Sequence, residues 1–253
     1  MGMVWIRVIG AWVVFLAAVG VARAERVLIA AAADLKWAMD EVIASHRQAH
    51  PADAIAVTYG SSGKFLTQVR QGAPFDLYFS ADTAYPEALV REGLVPGPVQ
   101  RYARGRLVLW SQSVPAAALN WQTLASPAVR RVAIANPVHA PYGQRAREAL
   151  MAAGVWAQVE PKLVLGENIA QAAQFVQTGN AEAGLVALSL VSGPRRPQQG
   201  HVVLVPQALH SPLDQGFVLT RKGAANPAAR RFAEYVQSPA ARAILASYGF
   251  ELP

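Results

Sequence analysis

Polar and apolar positions along the chain alternate between two periods. Arg26 to Ala32 is a short, nearly continuous apolar run. Leu35, Ala38, Met39, Val42, Ile43 and His46 then recur at three- and four-residue spacing, which predicts an amphipathic helix that Pro51 ends. Ile55 to Tyr59 reads as a strand, Lys64 to Gln71 as a short helix, Phe75 to Ser80 as a strand, and Thr83 to Glu92 as a helix closed by Gly93. Further strands are predicted at Leu107–Trp110, Val132–Ala135, Leu163–Leu165, Leu185–Leu188, Val202–Val205 and Phe217–Thr220. Further helices are predicted at Gln144–Ala153, Ile169–Gln177, Pro227–Gln237 and Pro239–Tyr248. Strands alternating with helices imply α/β architecture, with mostly parallel sheets covered on both faces. In such folds ligands sit where carboxyl ends of strands lead into helix N-termini.

The first residues break this pattern. Arg7 precedes an apolar run, Val8 to Val21, interrupted only by Gly10 and Gly20, and Ala22-Arg23-Ala24 follows as a small-x-small cleavage signal. The run is too short for a span, which needs roughly 20 residues. Residues 1–24 are therefore expected to be a signal peptide, with 25–253 exported to the periplasm. There is no cysteine, so no disulfide can form and no lipidated N-terminal cysteine can anchor the chain. The formal charge of +7 falls to +5 without Arg7 and Arg23. The basic residues are scattered, and adjacent only in the pairs Arg130-Arg131, Arg195-Arg196, Arg221-Lys222 and Arg230-Arg231. That reads as solvated surface with a mild pull on anions, not as a nucleic-acid face.

Enzyme signatures are missing. None of His46, His50, His139, His201 and His210 has metal-ligand spacing, and there is no Gly-x-Ser-x-Gly. Gly60-Ser61-Ser62-Gly63-Lys64 lacks the phosphate-loop spacing, with Phe65 where Ser or Thr should hold magnesium. Asp76 and Asp82 read as turn and capping residues. The same Gly-Ser-Ser-Gly stretch is more telling as an anion site. It joins a strand to a helix whose first amides have no intrahelical partner, and Ser61 and Ser62 add hydroxyls. Ala31-Ala32-Ala33-Asp34, Pro141-Tyr142-Gly143 and Asn168-Ile169 supply further strand-to-helix junctions of this kind. Ordinary capping would account for each one singly.

Tyr59-Gly60-Ser61-Ser62-Gly63, Gly72-Ala73-Pro74-Phe75-Asp76-Leu77-Tyr78-Phe79-Ser80-Ala81-Asp82, Gly105-Arg106-Leu107-Val108-Leu109-Trp110-Ser111, Asn136-Pro137, Ala140-Pro141-Tyr142-Gly143 and the ending Tyr248-Gly249-Phe250 resemble the periplasmic molybdate-binding protein family. The likeness runs in register from about Val27 to the C-terminus, and the Gly-Ala-Pro…Phe-Ser-Ala-Asp segment is its most specific part. It implies a two-lobed, type II periplasmic binding protein with the ligand in a hinged inter-lobe cleft. Residues 25–104 with 212–253 would form one lobe and 105–211 the other. It also implies no cofactor and no catalysis. The ligand would be molybdate or tungstate, a monomer would hold it, and an ABC-transporter permease with its ATPase would receive it. The ligand set carried over is Ala33, Asp34, Ser61, Ser62, Tyr142 and Ile169, donating through hydroxyls and backbone amides to the oxyanion's oxygens rather than to the metal. Ala187 stands where some members supply a tyrosine hydroxyl, so that contact is lost.

Asp34 is the main departure, since relatives carry Ser or Asn there. A carboxylate about 4 Å from a dianion would cost roughly 8 kcal/mol at an effective dielectric near 20. The side chain is therefore expected to turn inward and cap its own helix. The alternatives are a protonated Asp34 or a different ligand, such as phosphate or sulfate. A sensor that binds an oxyanion without transport is the other competing reading.

Overall fold

A computed structural model describes residues 26–194 and 200–252; the expected signal peptide and the Arg195-Arg196 pair lie outside the described residues. The strands are β1 (Arg26–Ala32), β2 (Ala54–Gly60), β3 (Leu77–Ser80), β4 (Gln100–Arg104), β5 (Leu107–Ser111), β6 (Val132–Ala135), β7 (Leu163–Gly166), β8 (Ala183–Ala187), β9 (His201–Leu204) and β10 (Asp214–Leu219). They form two five-stranded sheets, ordered β2-β1-β3-β10-β4 and β7-β6-β8-β5-β9. The first sheet takes its strands from residues 26–104 and 214–219, and the second from 107–204.

Each sheet is mixed, with four strands running one way and a single strand opposed. β1 pairs parallel with β2 and β3, while β10 runs antiparallel to both β3 and β4. In the second sheet β6 pairs parallel with β7 and β8, while β5 runs antiparallel to β8 and β9. The antiparallel members, β10 and β5, are the strands by which the chain enters each sheet from the other. A strand arriving without a covering helix is free to run antiparallel.

The pattern-based elements recur with shifted ends. β4 was not predicted, because Gln-Arg-Tyr-Ala-Arg carries too little apolar periodicity. Tyr102 and Ala103 are buried nonetheless, and β10 alongside completes the ladder. The helices Trp121–Ala125, Trp156–Val159, Leu188–Val191 and Arg221–Ala225 span only four or five residues, too few to show a period. The helix Lys36–Ala49 buries Ala38, Met39, Val42, Ile43 and His46, and Leu35 just before it is also buried. His46 is a core residue whose Nε2 lies 3.0 Å from Asp53 Oδ2.

The small residues at strand ends place the site. β1 ends in Ala30-Ala31-Ala32, all buried, and runs straight into a 3-10 turn, Ala33–Leu35. Fully burying one Leu or Ile is worth about 1.5–3 kcal/mol, and the Ile29 and Leu35 side chains that flank this junction are both fully buried. The backbone between them is thus set by the core of the first lobe.

Candidate functional site

Four strand-to-helix junctions, two from each sheet, meet in one cavity of about 200 Å³. Ala32, Ala33 and Asp34 follow β1, and Gly60, Ser61 and Ser62 follow β2. Ala140, Pro141 and Tyr142 follow β6, and Ile169 follows β7; Ala81 completes the wall. All six residues singled out from the sequence therefore line a single space. A larger groove, about 910 Å³, lies beside Lys36, Trp37 and the helix Ile169–Gln177. Its walls carry three glutamine side chains, and only two helix starts, at Lys36 and Asn168, border it.

Local chemistry leaves specific amides at each junction without intrahelical partners. The helix Ser62–Arg70 starts at Ser62, whose amide is one of these. Ser62 Oγ accepts from the Ala81 amide at 3.1 Å, and its own proton has no acceptor among the described residues. The helix Pro141–Ala152 begins with proline, which has no N–H, so Tyr142 carries its first amide. Asn168 caps the helix Ile169–Gln177 by accepting from Ala170 and Gln171, which leaves the Ile169 amide. Among the described residues, no lysine or arginine lines the cavity. Neutral dipoles at helix starts are the donors that it offers.

Ser61 behaves differently. Its hydroxyl donates across the lobes to the His139 carbonyl at 2.5 Å, with His139 Nδ1 2.9 Å away. The Gly63 amide donates to the same carbonyl at 2.9 Å. Ser61 therefore belongs to the seam between the lobes, and its proton is already used. Burial holds the His139 ring below its usual pKa. Lys64 pairs with Glu167 across the same seam, and Arg145 pairs with Asp82 at 2.6 Å. Asp82 also accepts from the Ala84 amide, and Asp76 accepts from the Leu28 amide and pairs with Lys222, so both serve structure.

Asp34 turns inward, but not to cap its helix. It sits inside the 3-10 turn, one residue past Ala33, where its side chain is placed differently from a cap residue's. Instead its Oδ2 accepts from Gln215 Nε2 at 2.5 Å and from Tyr142 Oη at 3.1 Å. Its Oδ1 is buried and has no partner among the described residues. Burial pushes the carboxyl pKa up from 3.8 to about 6, against the hydrogen bonds from Gln215, Tyr142 and nearby backbone amides. The Tyr142 phenol is pushed up in turn, first by burial and then by the Asp34 charge.

Sequence reasoning missed Gln215, Tyr102 and Gly105. Tyr102 Oη donates to Gln215 Oε1 at 2.6 Å, which fixes the amide so that its nitrogen faces Asp34. Gly105, at the crossing between the sheets, leaves room for this group: a Cβ there would fall 2.1 Å from Tyr142 Oη and 2.7 Å from Gln215 Nε2. A glutamine inside the apolar strand Asp214–Leu219 was the available signal, since a buried amide in a strand needs partners.

Residues 27–251 match the family described as bacterial extracellular solute-binding protein. The molybdate-binding protein ModA of Rhodobacter capsulatus is 42% identical over 197 residues, 78% of this chain and 77% of that protein. ModA of Azotobacter vinelandii is 38% identical over 232 residues, 91% of this chain and 92% of that protein. The chain belongs to the molybdate-binding protein family. The structure of the Azotobacter vinelandii periplasmic molybdate-binding protein superposes with a TM-score of 0.83 at 29% identity, over 90% of this chain and 99% of that one. This member of the family thus shares the two-lobed substrate-binding fold. The sulfate-binding protein SubI of Mycobacterium tuberculosis, at 15% identity and a TM-score of 0.75, shares the fold alone.

Proposed function

We propose that the protein is the periplasmic binding component of an ABC importer and holds molybdate or tungstate between its lobes. Ser62 would donate through hydroxyl and amide, and Ala33, Tyr142 and Ile169 through amides. Asp34 would form part of the wall. Ser61 would hold the seam. The observation that carries this is the convergence of helix starts from both sheets on one small cavity lined by no cation. Family relatives named for molybdate binding support the choice of ion. The relatives are binding proteins, and the chain would act without catalysis, as a monomer freed from a cleaved signal peptide and not as a lipoprotein. Residues 25–104 with 212–253 and residues 105–211 would be the moving lobes.

Mechanism follows from where the donors sit. A dianion that touches helix starts of both lobes binds the closed form better than the open one, so binding shifts the population towards closure. The permease would then read the closed shape. Fixed amides also select by radius, because around the smaller sulfate they cannot all reach.

Thermal melts with molybdate, tungstate, sulfate, phosphate and no addition test this. A ligand at a hundred times its Kd adds about 2.7 kcal/mol, a rise of roughly 5–10 °C for a chain of this size. The expected result is that rise with molybdate and tungstate and little with sulfate. A rise with phosphate alone would transfer the site to a protonated oxyanion, and no rise with any of the four would end the oxyanion reading. Arg145→Gln is expected to weaken molybdate binding about tenfold, read by calorimetry, because the part-buried pair with Asp82 holds the lobes together. Unchanged affinity would mean that this pair does not favour closure.

A further inference from the structure

The inner wall of the cavity contains one group that the family's neutral donor set does not explain. Asp34 is fully buried, and its two carboxyl oxygens differ sharply. Oδ2 is held by Gln215 Nε2 and Tyr142 Oη, whereas Oδ1 has no partner among the described residues. Leaving a buried carboxylate oxygen without a partner is costly, so its persistence calls for an explanation.

Resting on the oxyanion reading of this cavity, we propose that Asp34 admits the anion only together with one proton, held between its Oδ1 and a ligand oxygen. In balance, one carboxylate, one proton from solvent and one dianion become a carboxylic acid that donates to the dianion. No covalent bond to the metal or the carboxyl carbon changes. Asp34 is thus a specificity-determining residue that makes capture pH-dependent.

Among the described residues no cation pairs with it, so a proton is left to neutralise it. The groups that face the carboxylate are all neutral: Tyr142, Gln215 and, behind it, Tyr102, with the backbone amides of Asp34 and Leu35. Ser189 donates to the Asp34 carbonyl. On the helix Lys36–Ala49, the Lys36 ammonium lies over the rings of Trp37 and Tyr59, and Tyr59 donates to Asp40. The helices Ile169–Gln177 and Leu188–Val191 carry no charged side chain. On β10, Asp214 is paired with Arg104. Burial has already raised the affinity of Asp34 for a proton before any anion enters, and a dianion beside it raises that affinity further.

The test is molybdate calorimetry on the purified protein and on Asp34→Asn at pH 6.5 to 8.5, in two buffers of different ionisation enthalpy, with each variant's fold checked by its melt. Wild type is expected to take up about one proton per molybdate at pH 8, and to lose affinity about tenfold per pH unit above pH 7. Asp34→Asn keeps the acceptor for Tyr142 and Gln215 and turns a permanent N–H donor towards the anion. It is expected to take up no proton, to bind with flat pH dependence, and to exceed wild type at least tenfold at pH 8. Proton uptake near zero in wild type, or the same uptake in both proteins, overturns the inference. So does a folded Asp34→Asn that no longer binds. Wild type that binds none of the four oxyanions at pH 6.5 instead overturns the oxyanion reading, and this inference with it.

Discussion

Replacing Asp34 with asparagine is expected to stabilise the anion-free protein at pH 7.5 by up to about 3 kcal/mol. The carboxyl pKa rises from 3.8 to about 6 on folding. One unit is worth about 1.4 kcal/mol. The sign follows from linkage. The native state holds this proton more tightly than the unfolded chain does. The associated stability is therefore fully present below about pH 4 and is lost as pH rises to about 6. Above that, the native protein bears the whole cost of a buried, half-satisfied carboxylate. Asparagine removes this cost and keeps an oxygen for Gln215 and Tyr142. In urea titrations from pH 4 to 8, the difference between the two proteins should be near zero at the acid end and level off above pH 6. Other groups titrate alike in both proteins and cancel. Equal stability at pH 7.5 would show that the carboxyl is not desolvated. This measurement needs no ligand, so it stands apart from the binding experiments.

Gly143→Ala is expected to weaken anion binding about a hundredfold or more. Gly143 follows Tyr142 in the first turn of the helix Pro141–Ala152. A Cβ there would lie 2.1 Å from the Ala135 carbonyl oxygen and 2.8 Å from its carbon. These are backbone atoms of β6, an interior strand of the second sheet, so the helix start must move rather than a side chain. Overpacking of this sort costs typically 1–3 kcal/mol. At the upper end, that is about a hundredfold in Kd if it falls on the bound geometry. It does so here because the displaced turn carries both the Tyr142 amide and the hydroxyl that holds Asp34. Gly97→Ala, where a Cβ would meet nothing within 4 Å, is the matched control and should bind as wild type. Calorimetry on the two variants, with melts to show that each is folded, decides the matter. Equal affinities would mean that the Tyr142 junction is not in the site.

The sequence by itself determined the alternation of strands and helices, because the apolar period switches between about two and 3.6 residues within short windows. It also marked the four strand-to-helix junctions. Small residues there, with Asn168 as a cap and Pro141 at a helix start, are local requirements and need no partner from afar. Set against the resembled family, it marked Asp34 as a misfit, because a carboxylate there would face a dianion. Only the tertiary structure decided what became of that charge. Gln215 lies 181 residues away and Tyr142 lies 108 away, so neither periodicity nor spacing could join them to Asp34. The mixed strand directions were hidden for the same reason: β10 enters the first sheet from the far end of the chain, and β5 leads out of it. Ser61 and Ser62 are adjacent and chemically alike, and only the approach of His139 from the other lobe gave one hydroxyl to the seam and left the other for the cavity. Local pattern fixes what each segment can form, whereas hydrogen-bond partners and charge environments are set by contacts that the fold brings together over long sequence distances.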